Sequence, residues 1–245
     1  MASSSRGILI LPTYNESGNI QPLVEQIHRQ GLDLDILVVD DNSSDGTAER
    51  VEELARRFPV RLIRREKKMG LGSAHKAGLQ YAVEKRYPFI LTMDADFAHP
   101  PSILRGLLDQ VSSSSAEVIV GSRYCAGGDF HRIGRFRPVV SRLSHWLATH
   151  LLRLPYDCLG GLRLYRLCAL EKIDFRQTPS DGHAFLMEIL YALRSAGVRV
   201  EELPVVIQPR QEGYSKVSWR EFLTGGWTFL RLCLLEFRER LGWLR

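Results

Sequence analysis

The chain lacks the long apolar run that a membrane-spanning helix requires. No window of about 18 residues is both apolar and uncharged, so we expect no spanning helix. Only four apolar residues follow Met1–Arg6 before Pro12, too few for a secretory signal peptide, and we expect none. The longest apolar candidate, Phe222–Leu235, is interrupted by Arg231, which favours an amphipathic, interfacial segment over a spanning one.

Cysteine is also scarce. The four cysteines form no CxxC pair and no zinc-binding spacing, and we interpret them as reduced cytosolic thiols. Basic and aromatic residues do not interleave on the strand-like segments, which argues against a nucleic-acid-binding protein. With 44% hydrophobic and 25% charged residues the composition is globular, and we predict one domain over residues 1–245.

The net charge of +5 is concentrated in one part of the chain. Between His131 and Arg166 there are seven arginines, no lysine and a single acid, Asp157. Apolar residues such as Trp146 accompany them, and this mixture suits a membrane surface or an anionic lipid better than a nucleic-acid groove. A solvated basic face is the other interpretation. We predict amphipathic, membrane-facing segments near 137–154 and 222–235.

Strand-like and helix-like segments alternate through the first half of the chain. The predicted strands are Ile8–Leu11, Asp35–Val39, Arg61–Ile63, Phe89–Met93, Glu117–Gly121 and, in the less regular second half, Val198–Ile207. The predicted helices are Ile20–Gln30, a helix capped by Ser44 or Asp45, Ser73–Glu84, Ile103–Val111, Arg137–Leu154 and Asp181–Gly197. Repeated β-α-β units predict an α/β fold with a mostly parallel sheet and helices on both faces.

Polar residues follow the predicted strands, where ligands bind in such folds. Asp94 and Asp96 come directly after the apolar strand Phe89–Met93. On an extended chain, side chains two apart point the same way, so we expect both carboxylates to face one ligand. Two adjacent like charges favour a cation between them, and oxygen-ligated Mg2+ or Mn2+ is the natural candidate. If the tripeptide Asp94-Ala95-Asp96 is considered alone, two solvated aspartates at a strand end are the alternative.

Several motifs occur in an order that resembles glycosyltransferase family 2. They are Pro12–Glu16, Val39–Thr47, Gly70–Ala74 and Asp94–Asp96. Three later motifs look like those of the polyprenol-phosphate (dolichol-phosphate) mannose synthases of that family, and these are Gly121–Tyr124, Asp157–Arg163 and Arg210–Lys216. The resemblance covers about residues 6 to 220 and implies the GT-A fold, a Rossmann-like sheet that binds nucleotide sugars.

The resemblance implies a set of residues around the nucleoside of a GDP-sugar. These residues are Pro12, Tyr14, Glu16, Val39 and Asp41. A tyrosine ring offers a stacking face for a base, and carboxylates accept hydrogen bonds from ribose hydroxyls or base amines. A simple turn at the strand exit is the alternative for Pro12–Asn15. We expect Gly70 and Gly72 to let the backbone approach the ligand closely.

The resemblance also implies that Asp94, Ala95 and Asp96 bind the diphosphate, and that Asp94 and Asp96 bind the metal. Ala98 stands where these synthases often have a glutamine that ligates the metal, and a methyl group cannot coordinate an ion. The cation would then depend on the two carboxylates, phosphate oxygens and water, as is usual for Mg2+. For His99 we favour a supporting or surface position over ligation.

The acceptor phosphate and the leaving diphosphate would be held by a second set. The resemblance assigns this role to Arg123, Arg137, Ser141, Arg210 and Lys216. Arginine binds phosphate through its fork of donors, and lysine through a compact charge. Taken singly, each cation has a surface position as its alternative. We name Asp94, Asp96 and Arg123 as the catalytic residues.

Two further acids, Asp157 and Glu188, have no required role as a general base. The second pKa of a lipid monophosphate is about 6, so the phosphate is largely ionised at neutral pH. Its oxygen can therefore attack without a general base. We expect Asp157 and Glu188 to orient neighbours or to bind sugar hydroxyls. For Glu188 the alternative is a structural ion pair with Arg194 or another base.

The resulting expectation is an inverting mannosyltransferase that uses GDP-mannose and a polyprenyl (dolichyl) phosphate. We place it at the cytoplasmic face of a membrane, with a small membrane-anchoring subunit as a candidate partner. Another donor, such as UDP-glucose, is the nearest alternative. A non-catalytic nucleotide-binding subunit is the alternative of another class, and Ala98 is its main support.

Overall fold

The structure, a computed structural model, describes residues 6–130, 136–208 and 219–242. The strands are β1 (Gly7–Thr13), β2 (Leu34–Asp40), β3 (Val60–Arg64), β4 (Phe89–Thr92), β5 (Val118–Ser122), β6 (Asp129–Phe130), β7 (Arg163–Arg166), β8 (Val200–Pro204) and β9 (Val206–Ile207). The helices are α1 (Ser17–Arg29), α2 (Thr47–Ala55), α3 (Leu71–Glu84), α4 (Ile103–Ser113), α5 (Phe136–Leu152), α6 (Leu167–Leu170), α7 (Phe185–Ser195) and α8 (Trp219–Arg240).

Seven strands form one sheet in the order β3-β2-β1-β4-β7-β5-β8. All neighbouring pairs are parallel except those of β7, which runs antiparallel to both β4 and β5. The predicted mostly parallel α/β sheet is therefore confirmed. Strand β7 was not predicted, because its four residues begin and end with arginine and form no apolar run.

The apolar residues of the sheet alternate between two cores. In β1, Ile8 and Ile10 pack with residues of α3 and α7, whereas Leu9 and Leu11 pack with residues of α1 and α4. This is the two-residue period of a strand that is covered on both faces. Helices on both faces of the sheet follow directly from the continuous apolar character of its central strands.

Several predicted boundaries are wrong. Strand β4 ends at Thr92 and not at Met93. The predicted strand Val198–Ile207 is divided, because the Val205 amide donates to the Ser122 carbonyl while Val206 and Ile207 pair with β6 in a separate two-stranded sheet. The helix predicted from Asp181 begins at Phe185, and α8 extends beyond the predicted apolar segment at both ends.

The strand order reverses next to β1. The chain continues from β1 to β2 and β3 on one side and then crosses to β4 on the other side. Diverging connections leave a crevice at the carboxyl ends of β1 and β4, where open α/β sheets bind their ligands. The residues after Thr13 and after Thr92 therefore lie at this crevice.

Candidate active site

The loops that follow β1 and β2 are joined by hydrogen bonds. The Asn15 amide donates to Ser43 Oγ (2.8 Å), and the Ser44 amide donates to Asn15 Oδ1 (3.0 Å). Asn15 has φ 54°, a left-handed conformation that asparagine tolerates better than most residues. The Glu16 amide donates to Thr47 Oγ1, the side chain of the first residue of α2. Tyr14 and Glu16 are thereby presented from an ordered platform.

The prediction that Ser44 or Asp45 caps α2 is wrong, because the helix begins after Gly46, but Asp45 contacts its first turn. Asp45 Oδ1 accepts from the Thr47 amide (3.1 Å), and Oδ2 accepts from the Ser17 amide (3.0 Å). Burial alone would raise the pKa of the Asp45 carboxyl, but hydrogen bonds from Thr47 and Ser17 hold it below its ordinary value. One carboxylate thus ties the beginnings of α1 and α2 together.

The predicted nucleoside residues lie together at the ends of β1 and β2, with unequal access. Pro12 and Val39 are directly paired across the two strands, and both are buried. Val39 belongs to the apolar core, so its side chain presents no surface to a ligand. Tyr14 and Glu16 are partly exposed. Lys68 Nζ lies 3.7 Å from the centre of the Tyr14 ring, a cation–π contact on the face predicted to stack with a base.

Asp41 is occupied by the turn that follows β3. Its Oδ1 accepts from Arg65 Nη1 (2.8 Å) and from the Met69 amide (2.9 Å), and its Oδ2 accepts from the Gly70 amide (2.8 Å). The Arg65 side chain is only 8% exposed. Asp41 therefore shapes the turn that carries Lys68. Sequence reasoning missed Arg65 and Lys68, although both belong to a basic run at another strand end.

Gly70 and Gly72 lie against protein backbone, which corrects their predicted role as a close approach to the ligand. A Cβ at Gly70 would lie 2.6 Å from the Asp181 carbonyl oxygen, and one at Gly72 would lie 2.5 Å from the Gly182 carbonyl oxygen. The Ser73 amide also donates to the Asp181 carbonyl. These glycines make room for the segment before α7.

Asp94 and Asp96 lie on a loop beyond β4, so the alternation of an extended strand does not orient them as predicted. Asp96 is buried, and its Oδ1 accepts from the Ala98 amide (3.0 Å). Phe97, which lies between Asp96 and Ala98, is buried and has φ 60°, and this left-handed conformation bends the loop back. Within the residues that the structure describes, no cluster of three or more His, Cys, Asp or Glu side chains forms a metal site.

The Asp157–Arg163 loop packs against the Asp94 carboxylate. Thr92 Oγ1 donates to the Gly161 carbonyl (2.7 Å), and a Cβ at Gly161 would lie 2.6 Å from Asp94 Oδ1. The fully buried Arg163 holds this loop from inside, donating to the carbonyls of Gly160 (3.1 Å) and Cys158 (2.9 Å). Glycine at position 161 therefore makes room for one of the two acids.

Arg123 is held beside the acids by a buried partner. Its Nε and Nη2 donate to Asp157 Oδ2 (2.6 Å) and Oδ1 (2.7 Å), a two-pronged pairing. Burial alone would lower the pKa of the Arg123 guanidinium, but Asp157 and the nearby Asp94 raise it above its ordinary value. Burial would likewise raise the pKa of Asp157, and the hydrogen bonds from Arg123 hold it below its usual range. Asp157 thus orients Arg123, as predicted for an acid without a general-base role.

His99 is buried, and electrostatic interactions link it to Asp96, Arg123 and Asp157. Burial lowers the pKa of His99 to about 4 despite the Asp96 carboxylate, so its ring is neutral at pH 7. Its Nδ1 has no hydrogen-bond partner among the described residues. His99 thus supports the acid loop from the interior of the site.

Among the other predicted acceptor residues, Ser141 lies on α5 and contacts the residue that follows Arg123. Tyr124 Oη lies 2.5 Å from Ser141 Oγ. The Arg137 side chain, Arg210 and Lys216 lie outside the described residues. Gln208 is the last described residue before Arg210. Its amide donates to the Ala98 carbonyl (3.0 Å), so this part of the chain lies beside the loop that carries Asp94 and Asp96.

Glu188 has a structural role. It is buried, its Oε1 accepts from Arg231 Nη2 of α8 (2.6 Å) and its Oε2 accepts from the Ser180 amide (3.1 Å). The partner named in the sequence-based alternative, Arg194, instead pairs with Glu236. Glu188 therefore joins α7 to α8, and the alternative of a structural ion pair with another base is confirmed.

The exposed large apolar side chains are concentrated on α5 and α8. Of those in the described part of the chain, all but Met69, Leu159 and Val206 lie on or directly after these two helices. They are Val139, Leu143, Trp146, Leu151, Leu223, Trp227, Leu230, Leu234, Phe237 and Leu241. A concentration of this kind is typical of an interaction surface. No described helix is both long enough and apolar enough to cross a bilayer.

A protein-family model described as "Glycosyl transferase family 2" matches residues 8–173. A polyprenol monophosphomannose synthase of Mycolicibacterium smegmatis is 36% identical over 218 residues, covering 88% of this chain and 82% of that protein. An undecaprenyl-phosphate mannosyltransferase of Micrococcus luteus is 33% identical, with 87% and 88% covered. A dolichol-phosphate mannosyltransferase of Pyrococcus furiosus is 33% identical, covering 86% of this chain but 58% of that protein.

Solved structures share the fold at low sequence identity. Mannosyl-3-phosphoglycerate synthase from Rubrobacter xylanophilus has a TM-score of 0.70 at 17% identity, covering 98% of this chain and 76% of that one. Glucosyl-3-phosphoglycerate synthase from Mycobacterium tuberculosis, in complex with Mn2+, UDP and phosphoglyceric acid, has a TM-score of 0.71 at 17% identity, with 93% and 78% covered. At this identity the likeness concerns the fold alone.

Proposed function

The chain belongs to glycosyltransferase family 2 and has a GT-A-like fold, and from this premise we propose that it transfers mannose from GDP-mannose to a polyprenyl monophosphate. The products are GDP and a polyprenyl-phosphate mannose whose anomeric configuration is inverted. The names of three relatives, all polyprenol-phosphate mannosyltransferases, support the sugar and the acceptor.

One observation carries the proposal. Arg123, held by the buried Asp157, lies within electrostatic reach of Asp94 at the carboxyl end of the sheet. A transferase that joins two phosphate-bearing substrates needs a cationic side chain for one phosphate, and beside it carboxylates that can hold a metal ion for the other. The acids and this arginine share one end of the molecule, as that arrangement requires.

On the donor side, the ends of β1 and β2 would hold the nucleoside. Tyr14 and Glu16 have surface at this corner, and Pro12 and Val39 form the strand ends beneath it. Asp41 would act by arranging the turn with Lys68, since its oxygens already accept three hydrogen bonds. We therefore propose stacking on Tyr14 as the main base contact, which requires the base to share or replace the Lys68 contact.

The acid pair suits a cation that takes its remaining ligands from the substrate. Gly161 has no Cβ and so makes room for the carboxylate of the half-buried Asp94, with Asp96 two residues on. Two carboxylates with phosphate oxygens and water form a usual Mg2+ or Mn2+ site. We propose Asp94 and Asp96 as the protein ligands, with Ala95 between them beside the diphosphate. When bound, the cation would stabilise charge on the departing diphosphate.

On the acceptor side, Arg123 would bind the lipid phosphate and aim its oxygen at the anomeric carbon. That oxygen forms the new bond to carbon as the bond from carbon to the diphosphate breaks, and GDP departs with the electron pair. The ionised phosphate needs no general base, so the residues contribute position and charge. Ser141, Arg137, Arg210 and Lys216 complete the proposed acceptor set.

We propose that the apolar residues of α5 and α8 rest on the cytoplasmic face of a membrane, directly or beside a small anchoring subunit. Trp227 is 70% exposed and Phe237 is 60% exposed, and removing both would reduce the apolar area available to lipid. The double variant Trp227→Ser with Phe237→Ser is expected to lower co-sedimentation with anionic vesicles about tenfold. Unchanged co-sedimentation would contradict direct contact of α8 with lipid.

Radiolabelled sugar transfer tests the proposed reaction. The purified chain is incubated with polyprenyl phosphate, Mg2+ or Mn2+, and labelled GDP-mannose or UDP-glucose. We expect label in the lipid phase from GDP-mannose, and none would refute the proposal. Label from UDP-glucose alone would keep the acceptor and replace the donor. Thermal denaturation with GDP and UDP gives an independent measure, since a ligand that binds the folded state raises the Tm.

A further inference from the structure

Tyr124 connects the end of β5 to helix α5. Its ring lies parallel to the His145 ring, at 5° and with 4.0 Å between ring centres. Its hydroxyl oxygen lies 2.5 Å from Ser141 Oγ and 3.1 Å from the Ser141 carbonyl oxygen, one turn earlier on the same helix. Tyr124 also follows Arg123, whose guanidinium carbon lies 5.3 Å from the centre of the tyrosine ring.

The two hydroxyls can share their protons in two ways. If Tyr124 donates to the Ser141 carbonyl, the serine proton is directed at the tyrosine oxygen and is unavailable to a ligand. If Tyr124 donates to Ser141 Oγ, the serine proton is available to another acceptor. A phosphate oxygen selects the second arrangement, because a hydrogen bond to an anion is stronger than one to a neutral hydroxyl.

Tyr124 keeps its proton for this exchange. Burial raises the pKa of Tyr124 above its ordinary value, although the neighbouring Arg123 charge and the hydrogen bond with Ser141 act in the opposite direction. The phenol is therefore un-ionised at neutral pH and remains a donor. Arg123 is held separately by Asp157, so the tyrosine is not needed to aim the guanidinium.

We propose that Tyr124 is a positioning residue for the acceptor phosphate: it holds α5 against the site and directs the Ser141 hydroxyl proton to that phosphate. This inference rests on the proposed function, because it needs a phosphate acceptor at Ser141. It assigns to the Tyr124 hydroxyl an effect on acceptor binding that is separate from the packing of its ring on His145.

Steady-state kinetics of the full chain with GDP-mannose and polyprenyl phosphate test the role. Tyr124→Phe keeps the ring and removes the hydroxyl, and we expect about a fivefold rise in acceptor KM with kcat and GDP-mannose KM unchanged. Ser141→Ala is expected to raise acceptor KM at least as much. The double variant is expected to match Ser141→Ala alone, because the tyrosine acts through the serine.

Two further variants serve as controls. Tyr156→Phe removes another half-buried phenol near α5 and is expected to leave acceptor KM unchanged. In the Ser141→Thr background, which keeps a hydroxyl at this position, Tyr124→Phe is expected to raise acceptor KM above that of Ser141→Thr alone. Thermal denaturation of each variant verifies that it is folded.

Three results would overturn the role of Tyr124. They are an unchanged acceptor KM in Tyr124→Phe, equal rises in donor and acceptor KM, and effects of Tyr124→Phe and Ser141→Ala that multiply in the double variant. Failure of the wild-type chain to mannosylate polyprenyl phosphate would instead refute the proposed function. Transfer by the wild type with an unaffected Tyr124→Phe variant would refute only this inference.

Discussion

The two sides of the crevice each contain a buried aspartate paired with an arginine, and they use the pair differently. On the donor side, the loops after β1, β2 and β3, the Arg65 side chain is 8% exposed and joins Asp41 in shaping a turn. On the acceptor side, the end of β5, the Asp157–Arg163 loop and α5, the Arg123 side chain is 16% exposed. In one place the ion pair orders backbone, and in the other we propose that it directs the Arg123 guanidinium at the acceptor phosphate.

If Arg123 binds the acceptor phosphate as proposed, an ion pair alone does not identify a ligand-binding arginine. A guanidinium that is enclosed by its partners has satisfied its donors within the protein, whereas one that retains surface beside an acidic loop can bind an anion. Exposure and neighbours therefore separate two pairs that look alike as sequence motifs. Three predictions test this contrast, beginning with the proposed acid pair, and a fourth tests a buried histidine of the core.

Asp96→Asn is expected to have the largest effect. Loss of the charge removes one of two proposed cation ligands, and we expect transfer to fall about a hundredfold or more with the fold intact. The measurement is labelled mannose transfer with Mg2+ or Mn2+ and with a chelator. Near-normal transfer by the variant in chelator would contradict a cation-dependent site shared by the two sides.

Gly161→Ala is expected to have the next largest effect. The new Cβ would lie 2.6 Å from Asp94 Oδ1, so the carboxylate must move, and we expect kcat/KM to fall about a hundredfold or somewhat less. Gly160→Ala is the matched control, because its nearest atom would lie at an ordinary 3.4 Å. Equal activity of the two variants would show that the acceptor-side loop does not set the position of Asp94.

Asp41→Asn and Asp157→Asn compare the two ion pairs directly. Asp41→Asn disturbs the turn that carries Lys68, so we expect GDP-mannose KM to rise about tenfold with little change in acceptor KM. Asp157→Asn releases Arg123, so we expect the opposite pattern. If both variants raise the same KM, the assignment of one pair to each substrate is wrong.

Stability provides the control for these two variants. Removing one partner of a buried ion pair costs about 3 kcal/mol, and for a chain of this size each kcal/mol lowers the Tm by about 2–4 °C. We expect similar losses of Tm in both variants, measured by thermal denaturation. Similar losses with different KM patterns would separate the effect on folding from the effect on each substrate.

His75 is expected to show the smallest effect, confined to pH dependence. This fully buried histidine of α3 has its pKa lowered to about 3 by burial, with the charges of Arg163 and His183 acting in the same direction. Below about pH 6.5 the unfolded chain binds a proton that the folded chain does not. The free energy of unfolding therefore decreases as the pH is lowered, by up to about 1.4 kcal/mol per pH unit.

The variant His75→Gln removes this proton-linked loss. We expect its free energy of unfolding, measured in urea from pH 7.5 to pH 4.5, to fall less steeply than that of the wild type. Activity at pH 7.5 is expected to remain close to normal, since the ring is neutral there in the wild type. Parallel slopes for the two proteins would contradict a neutral, buried His75.

The donor side was largely predictable because its signals are contiguous. The predicted apolar strands Ile8–Leu11, Asp35–Val39 and Phe89–Met93 locate β1, β2 and β4, and the polar residues after each mark the edge where such sheets bind ligands. Strand β7 was missed because two arginines frame its short apolar centre. Gly70 and Gly72 were misassigned because a glycine that makes room for a ligand and one that makes room for a neighbouring segment look alike in the sequence.

From contiguous patterns alone, the family, the mostly parallel α/β sheet and the acid motif could be read, since each is encoded in residues that are neighbours along the chain. The pairing of Arg123 with Asp157, the fit of Gly161 against Asp94 and the contact of Tyr124 with Ser141 could not. Those contacts join segments that are distant in the sequence, and their distance in space is set by the packing of the sheet and helices. Local periodicity contains no information about that packing.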